Sequence, residues 1–334
     1  MNLAAVAAGR ASQFADVVVP GWAWGVLVGL IAMLLIGDLL VVHRTPHEIS
    51  FRAAVVESAV WIGIGVAFAG VLGWWLGGGV AGEYLSGYLI EKSLSVDNVF
   101  VWAVIFGYFA VPARYQFRVL FWGIFGALLL RATFIFAGVG LLETFDWVLY
   151  VFGAFLLYTA LKVARGVAAD VHPEHNPVLR VVRRAIPSTV GYDGQKLFTR
   201  RTGALLATPL FAVLVLIEST DVVFAVDSIP AVLAVTREPF IVFASNAFAI
   251  LGLRALYFCL AGMADRLRYL NRGLGVILAF VGLKMLLAEV IHLPTAVSLG
   301  VVAAVLAITV VASLLSDRRH RPIENEETNQ EVPT

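Results

Sequence analysis

Long apolar stretches alternate with short polar ones along almost the whole chain. An apolar run of about 20 residues can cross the hydrocarbon core of a bilayer as a helix. The pattern predicts about nine such spans, at 22–42, 53–76, 84–108, 117–142, 147–164, 203–235, 240–261, 270–291 and 295–315. The predicted fold is therefore all-α, a polytopic bundle of about nine transmembrane helices.

The composition agrees with a bilayer as the solvent. Of the 334 residues, 60% are hydrophobic and 14% are charged, whereas soluble domains carry about 25% charged residues. The net charge of +1 gives no basic excess that would favour nucleic acid. Cys259 is the single cysteine, which excludes an intramolecular disulfide and a cysteine-rich metal site. We expect no cofactor and no nucleic-acid partner.

The basic residues predict the orientation of the chain. Arginine and lysine concentrate in alternate loops, and loops of this kind remain in the cytoplasm. These loops contain Arg44 and Arg52, Arg114 and Arg118, the basic residues of 165–201, Arg266 to Arg272, and Arg318 to Arg321. The alternation predicts a multi-pass protein with its N-terminus outside and its C-terminus inside the cytoplasm.

Two acidic segments within predicted spans can be aligned with each other. The segment "EKSLSVDN" at 91–98 falls on "DVVFAVDS" at 221–228. The alignment pairs Glu91 with Asp221, Asp97 with Asp227, and Asn98 with Ser228. It continues through "GIFGALLLR" at 123–131 and "NAFAILGLR" at 246–254, and through 153–162 and 275–284. Four charged positions in the same order are hard to obtain by chance in so apolar a chain.

The two aligned units have opposite predicted orientations in the membrane. Inverted repeats of this kind are common in secondary transporters, whose substrate sites lie near the midplane at the repeat interface. We therefore predict an inverted three-plus-three helix repeat. The predicted parts are an N-terminal pair at 1–83, a first repeat at 84–165, a cytoplasmic linker at 166–201, a second repeat at 202–292, a last helix at 293–315 and a disordered tail at 316–334.

The buried acidic residues require compensation. A carboxylate at the centre of a span costs about 2.5–3.5 kcal/mol, so a group of them is expected to face water, a cation or basic partners. Carboxylates, an amide and hydroxyls are hard oxygen ligands that suit Mn²⁺, Mg²⁺ or Ca²⁺. Because residues six apart on a helix point about 240° apart, we predict a break in each acidic helix, near Pro230 in the second. The alternative is a set of satisfied ion pairs without a transported ligand.

Four basic residues are candidates for ion pairing or gating. Arg131 and Arg254 lie deep in predicted spans and are expected to hold the acidic residues together. Lys162, near a span end, either snorkels to the interface or pairs with a carboxylate. Lys284 is its aligned counterpart. Outside the repeats, Glu57 is interpreted as a segment-end charge.

These motifs resemble the TerC family, named after tellurium-resistance protein C. The resemblance rests on "EKSLSVDNVFVWAVIF", on 218–258 beginning "ESTDVVFAVDSIP", on "NPVLRVVRR" and on "HRTPHEISFRAAVVESAVWI". It implies a multi-pass inner-membrane protein that exports manganese, with ties to the protein secretion machinery. The metal-site residues that it implies are Glu91, Asp97, Asn98, Glu218, Asp221, Asp227 and Ser228, with Asp38 and Asn246 less central. Asp38 lies near the inner end of the first predicted span, where local capping or solvation and a contribution to an inner vestibule are equally good interpretations.

Three functional alternatives remain beside manganese export. The same oxygen ligands would serve a Ca²⁺ or Mg²⁺ exchanger. A membrane scaffold associated with secretion would use the basic linker and the tail as docking surfaces. Intramembrane aspartyl proteolysis also uses two buried aspartates, but the additional acidic residues are not needed for it. We expect a transporter of a divalent cation rather than an enzyme.

Overall fold

The computed structural model describes residues 17–39, 50–145, 147–164, 186–189, 191–201, 204–260, 269–287, 290 and 293–319. Its helices before the linker are α1 Gly21–Gly37, α2 Phe51–Leu76, α3 Gly78–Tyr108, α4 Ala113–Thr144 and α5 Val148–Ala164. The later elements are β1 Phe198–Arg201, β2 Ala204–Ala207, α6 Pro209–Leu233, α7 Pro239–Leu251, α8 Leu253–Leu260, α9 Leu270–Leu286 and α10 Thr295–Arg319. The side chain of Asp97, most of the linker at 165–185 and the tail at 320–334 lie outside the described residues.

The described chain confirms the all-α membrane fold. Five helical segments are long and apolar enough to cross a bilayer: Phe51–Leu76, Ala113–Thr144, Pro209–Leu233, Pro239–Leu260 and Ala296–Ser313. Helices α1 and α5 are apolar but have only 17 residues each. Helix α3 has 31 residues, which is long enough to cross a bilayer. Its charged residues make it too polar to be counted with the five apolar segments. Length and composition alone therefore support five spans.

Helix α7 and its extension α8 form the centre of the bundle. In the segment Pro239–Leu260, 89% of the apolar window is buried, against 22–44% in the other four long segments. Those four expose apolar side chains such as Leu129, Val223 and Ile308. An exposed apolar surface of this kind suits contact with lipid. Other helices therefore pack around α7 and α8, whereas the four other long segments each expose apolar side chains on one face.

The helices of the two aligned units pack in a reciprocal pattern. Helix α3 packs against α6 and α7, helix α4 packs against the same two helices, and α5 packs along α9. The contact between α5 and α9 is close because glycines meet there. A Cβ atom at Gly282 would stand 2.9 Å from the carbonyl oxygen of Gly153. Close approach through small residues is a common way for membrane helices to associate.

The predicted breaks in the two acidic helices are wrong. Helix α3 is continuous through 91–98, and α6 is continuous through Pro230. A proline inside a helix removes one hydrogen bond, but Pro230 lies only three residues before the end of α6. Glu91 and Asp221 do not need a break, because both reach Arg131 on the neighbouring helix α4.

A break does occur in the seventh predicted span, at Gly252 between α7 and α8. Here Lys92 of α3 donates a hydrogen bond of 3.1 Å to the carbonyl oxygen of Ala249 at the end of α7. A Cβ atom at Gly252 would stand 2.7 Å from Cβ of Trp61 and 3.0 Å from Nζ of Lys92. A glycine therefore leaves room for a lysine that satisfies a carbonyl group freed by the break.

The sixth predicted span begins later than expected, because residues 204–207 form a strand. Strands β1 and β2 pair antiparallel, and Thr208 closes the hairpin with a hydrogen bond of 2.7 Å from its hydroxyl to the carbonyl oxygen of Lys196. Just before β1, the hydroxyl of Tyr192 donates a 2.6 Å hydrogen bond to the carbonyl oxygen of Phe109. A phenol is protonated at neutral pH, and burial raises the pKa of Tyr192 further, so its hydroxyl stays a donor. The hairpin is thus attached to the α3–α4 turn.

The α3–α4 turn contains a residue in a left-handed conformation. Ala110 has φ of 48° and follows the end of α3, where glycine is usual. We expect Ala110→Gly to raise the free energy of unfolding by about 0.5–1 kcal/mol, because glycine adopts this conformation without steric cost. Thermal unfolding of the purified protein in detergent would measure the change. Ala303→Gly on the exposed face of α10 is the matched control and should destabilise; a loss of stability in both would contradict the argument.

Candidate functional site

Arg131 of α4 lies at the centre of a buried charged network. Its Nη2 and Nε donate to the two carboxylate oxygens of Asp221 at 3.1 and 3.3 Å. Its Nη1 donates to Glu91 of α3 and, at 3.1 Å, to the hydroxyl of Ser228. Arg131 is 1% exposed. Two acidic residues that the sequence alignment paired, Glu91 and Asp221, therefore meet at one guanidinium.

The central network leaves polar atoms without partners. Glu91 is fully buried, and its Oε2 atom has no hydrogen-bond partner. The Nδ2 atom of Asn98, on the same helix, is also buried without a partner. The hydroxyl of Ser95 donates to Oε1 of Glu91 at 3.4 Å. A buried carboxylate oxygen with free acceptor capacity is costly in an apolar interior, and it is suited to a cation.

Asp227 lies apart from Arg131 and contacts α5 instead. The hydroxyl of Thr159 donates to its Oδ1 at 3.3 Å. Lys162, which is exposed at the end of α5, is close enough to interact electrostatically with the same carboxylate. The counterpart residue Asp97 has no described side chain. The structure thus places Asp227 near Lys162 and leaves the position of the Asp97 carboxylate open.

Glu218 of α6 lies against α4 at a glycine. A Cβ atom at Gly126 would overlap the carboxyl group of Glu218, so a larger residue there would displace that carboxyl group. The Oε2 atom of Glu218 is buried without a hydrogen-bond partner, and the carboxyl group interacts electrostatically with Asp221. It lines an open cavity of about 380 Å³ whose other lining residues are Leu130, Phe211, Leu214, Val215, Ser219 and Val222.

Arg254, the aligned counterpart of Arg131, has a different set of partners. It forms ion pairs with Asp38 of the segment after α1 and, at 2.7 Å, with Glu57 of α2. Its guanidinium also stands over the ring of Phe117, 4.2 Å from the centroid. Glu57 is therefore not a simple segment-end charge, because α2 begins at Phe51 and carries it into contact with a buried arginine. Asp38 is the C-cap residue of α1, and its carboxylate is buried in the ion pair with Arg254.

A third polar group joins α3, the turn after α6, α9 and α10. Glu83 is 2% exposed and accepts a 2.7 Å hydrogen bond from the hydroxyl of Thr236. Lys284 interacts electrostatically with Glu83 and donates to the hydroxyl of Ser298 at 3.0 Å. Nearer the centre of the bundle, Asn246 of α7 is buried, and its Nδ2 atom has no partner.

The sequence reasoning missed several of these polar residues. Glu83, Lys92, Thr159 and Thr236 were not among the candidates, although Glu83 and Lys92 share a predicted span with Glu91. Within the part of the chain that the structure describes, no three His, Cys, Asp or Glu side chains come close enough together to hold a metal ion. The predicted ligand set therefore stays a prediction, and its described core is Glu91, Asp221 and Ser228 around Arg131.

The helices and the buried charged network define a polytopic α-helical integral membrane protein. The family model described as "Integral membrane protein TerC family" matches residues 76–321. The chain belongs to the TerC family, which confirms the resemblance seen in its acidic motifs.

Several relatives match over nearly their whole length. An uncharacterized membrane protein of Myxococcus xanthus is 49% identical, over 92% of this chain and 96% of the relative. A protein of Escherichia coli K12 named "Putative membrane-bound redox modulator Alx" is 47% identical, over 89% and 95% of the two chains. An uncharacterized membrane protein of Rickettsia bellii is 37% identical, over 87% and 97%. No solved structure matches the chain.

Proposed function

We propose that the protein transports a divalent cation across the inner membrane and that it exports Mn²⁺ from the cytoplasm. The observation that carries the proposal is the meeting of Glu91 and Asp221 at the interface between the two aligned units. Both carboxylates are buried, and one oxygen of Glu91 has no hydrogen-bond partner. Intramembrane carboxylates of this kind are characteristic of ion pathways, and oxygen ligands suit Mn²⁺.

The proposal includes nine spans and an inverted repeat. The reciprocal packing, α3 with α7 and α4 with α6, is what a two-fold relation between the units would produce. The alternation of basic loops supports an N-terminus outside and a C-terminus inside. In that orientation α6 runs outward, so a cation leaving the cytoplasm would encounter Glu218 first, then Asp221 and then Asp227.

The transport step proposed here is alternating access. The cation binds the central carboxylates when the site is open to the cytoplasm, and it leaves when the bundle opens to the other side. The same carboxylates can take up protons after the metal leaves, so a proton gradient can drive export. Purified protein in liposomes with a manganese-sensitive dye tests this coupling. Flux that is indifferent to an imposed pH gradient removes the proton-exchange part.

We expect Asp227→Asn and Glu91→Gln to abolish the effect of the protein on cellular manganese. Each change keeps the shape of the side chain and removes the charge that binds a cation. Total manganese, measured by elemental analysis in manganese-stressed cells at matched membrane levels, should be lowered severalfold by the wild type. Glu143→Gln, at the exposed end of α4, is the matched control and should behave as the wild type.

Other outcomes of the elemental analysis separate the alternatives. A change in calcium or magnesium at constant manganese would keep the cation transporter and replace the ion. If the cellular content of none of these metals changes, the transport proposal fails, and a scaffold associated with secretion becomes the better hypothesis. Loss of function in the Glu143→Gln control would show that the assay reports folding rather than the site.

The name of the Escherichia coli relative suggests a redox role as a second line of inquiry. The chain's single cysteine, Cys259, lies half-buried on α8. Thiol–disulfide exchange at one cysteine needs a thiol from another molecule. The described residues thus favour a cation function over a redox couple built within the chain.

A further inference from the structure

Arg131 binds the same oxygens that the proposed cation site requires. It holds Asp221 through two hydrogen bonds of 3.1 and 3.3 Å and also donates to Glu91 and Ser228. These three acceptors are all predicted metal ligands. A planar guanidinium that binds a carboxylate in this two-pronged way is held strongly.

We propose that Arg131 is a tethered competitor of the transported cation, so that a divalent ion binds Glu91 and Asp221 only when the guanidinium leaves them. The inference rests on the proposed function and specifies what regulates that site. It assigns to Arg131 a role that differs from ion pairing for stability alone.

The charges in the network favour exchange over joint occupancy. Glu91, Asp221 and Arg131 together carry a net charge of −1. A divalent ion added beside the guanidinium would place two cations within a few ångströms in a medium of low dielectric constant, where their repulsion is large. A divalent ion that replaces the guanidinium brings the two carboxylates to a net charge of zero. Because a buried net charge is costly, the neutral arrangement is favoured.

Glu218 provides an acceptor for the displaced arginine. It lies three residues before Asp221 on α6, and residues at this spacing are neighbours on a helix surface, about 5–6 Å apart. Its carboxyl group lies against α4, the helix that carries Arg131, in the space left by Gly126. Its Oε2 atom is buried without a hydrogen-bond partner. The guanidinium that leaves Glu91 and Asp221 can therefore still have one carboxylate partner, at Glu218.

Arg254 provides an internal comparison for the proposed competition. It is also buried and paired with two carboxylates, but these are Asp38 at the C-terminal end of α1 and Glu57 in α2. A change at Arg254 therefore tests the effect of weakening a buried arginine elsewhere in the same protein.

The test is a titration of the purified full-length protein in detergent with Mn²⁺, with free Mn²⁺ followed by electron paramagnetic resonance. Arg131→Lys should bind Mn²⁺ at least tenfold more tightly than the wild type, because an ammonium group lacks the two-pronged geometry of the guanidinium. Arg254→Lys should not tighten Mn²⁺ binding, and Arg272→Lys, at an exposed arginine of α9, should remain within twofold of the wild type. Glu218→Gln should weaken binding at least fivefold, because a neutral amide is a poorer acceptor for the displaced guanidinium.

The direction of the change decides between competition and positioning. If Arg131→Lys binds Mn²⁺ equally or more weakly, Arg131 only positions the ligands, and the competition is overturned. If that variant does not fold, Glu218→Gln decides, and unchanged affinity there overturns the proposal. If the wild type binds no Mn²⁺, Ca²⁺ or Mg²⁺, the proposed cation site itself fails. If the wild type binds Mn²⁺ and both variants bind it with the same affinity, only the competition fails.

Discussion

Arg131→Ala is expected to lower the free energy of unfolding by about 3–5 kcal/mol. The substitution removes the cation from between Glu91 and Asp221 and leaves two buried carboxylates without compensation. Unfolding in increasing mole fractions of dodecyl sulfate, followed by circular dichroism, would measure the change.

A charge-neutral variant separates the loss of charge balance from the loss of packing. Arg131→Met combined with Glu91→Gln and Asp221→Asn removes all three charges together. Replacing a whole buried ion pair by neutral groups is often close to neutral in stability, so this triple variant should recover most of the stability. If Arg131→Ala and the triple variant lose the same amount, packing rather than charge accounts for the effect of Arg131.

Gly282→Leu is expected to destabilise the protein by about 3 kcal/mol, at the upper end of the usual cost of overpacking. A Cβ atom at Gly282 would stand 2.9 Å from the carbonyl oxygen of Gly153 and 3.1 Å from the backbone nitrogen of Leu157. Backbone atoms cannot rotate away as side chains can, so α5 and α9 would have to separate. The same dodecyl sulfate titration gives the loss of stability.

Gly300→Leu is the matched control for this packing prediction. Gly300 is in α10, and a Cβ atom there would have no neighbour within 4 Å. Because the same leucine meets open space and favours the helix more than glycine does, we expect no loss of stability, and a gain of up to about 1 kcal/mol. Because leucine has a higher helix propensity than glycine, propensity predicts no loss in either variant, and equal losses in the two would contradict the role given to the contact of α5 with α9.

The sequence predicted the helices and the central acid pair because both depend on patterns along the chain. Apolar runs identify α2, α4 and α6 directly, and the internal alignment brings Glu91 and Asp221 together. In each case the signal is local or repeated, so one sequence contains it. The membrane limits the choice further, since only helices and closed barrels satisfy the backbone there.

The parts that the sequence missed depend on contacts between distant segments. Glu57 reads as a segment-end charge, because nothing near it in sequence shows that Arg254 will reach it. The sequence does not indicate the break at Gly252, because glycine is common inside membrane helices. The carbonyl group of Ala249 that the break frees accepts a hydrogen bond from Lys92, which lies on another helix. The strand at 204–207 reads as the start of a span because its residues are apolar.

The partners of Arg131 also determine an order of events during synthesis. Glu91 lies 40 residues before Arg131, whereas Asp221 lies 90 residues after it. A nascent chain that contains α3 and α4 already has both Glu91 and Arg131, whose charges compensate each other, so we expect these two helices to pair before α6 is synthesised. Asp221 arrives later and meets an arginine that is already in place. The first unit can thus serve as the template on which the second completes the bundle.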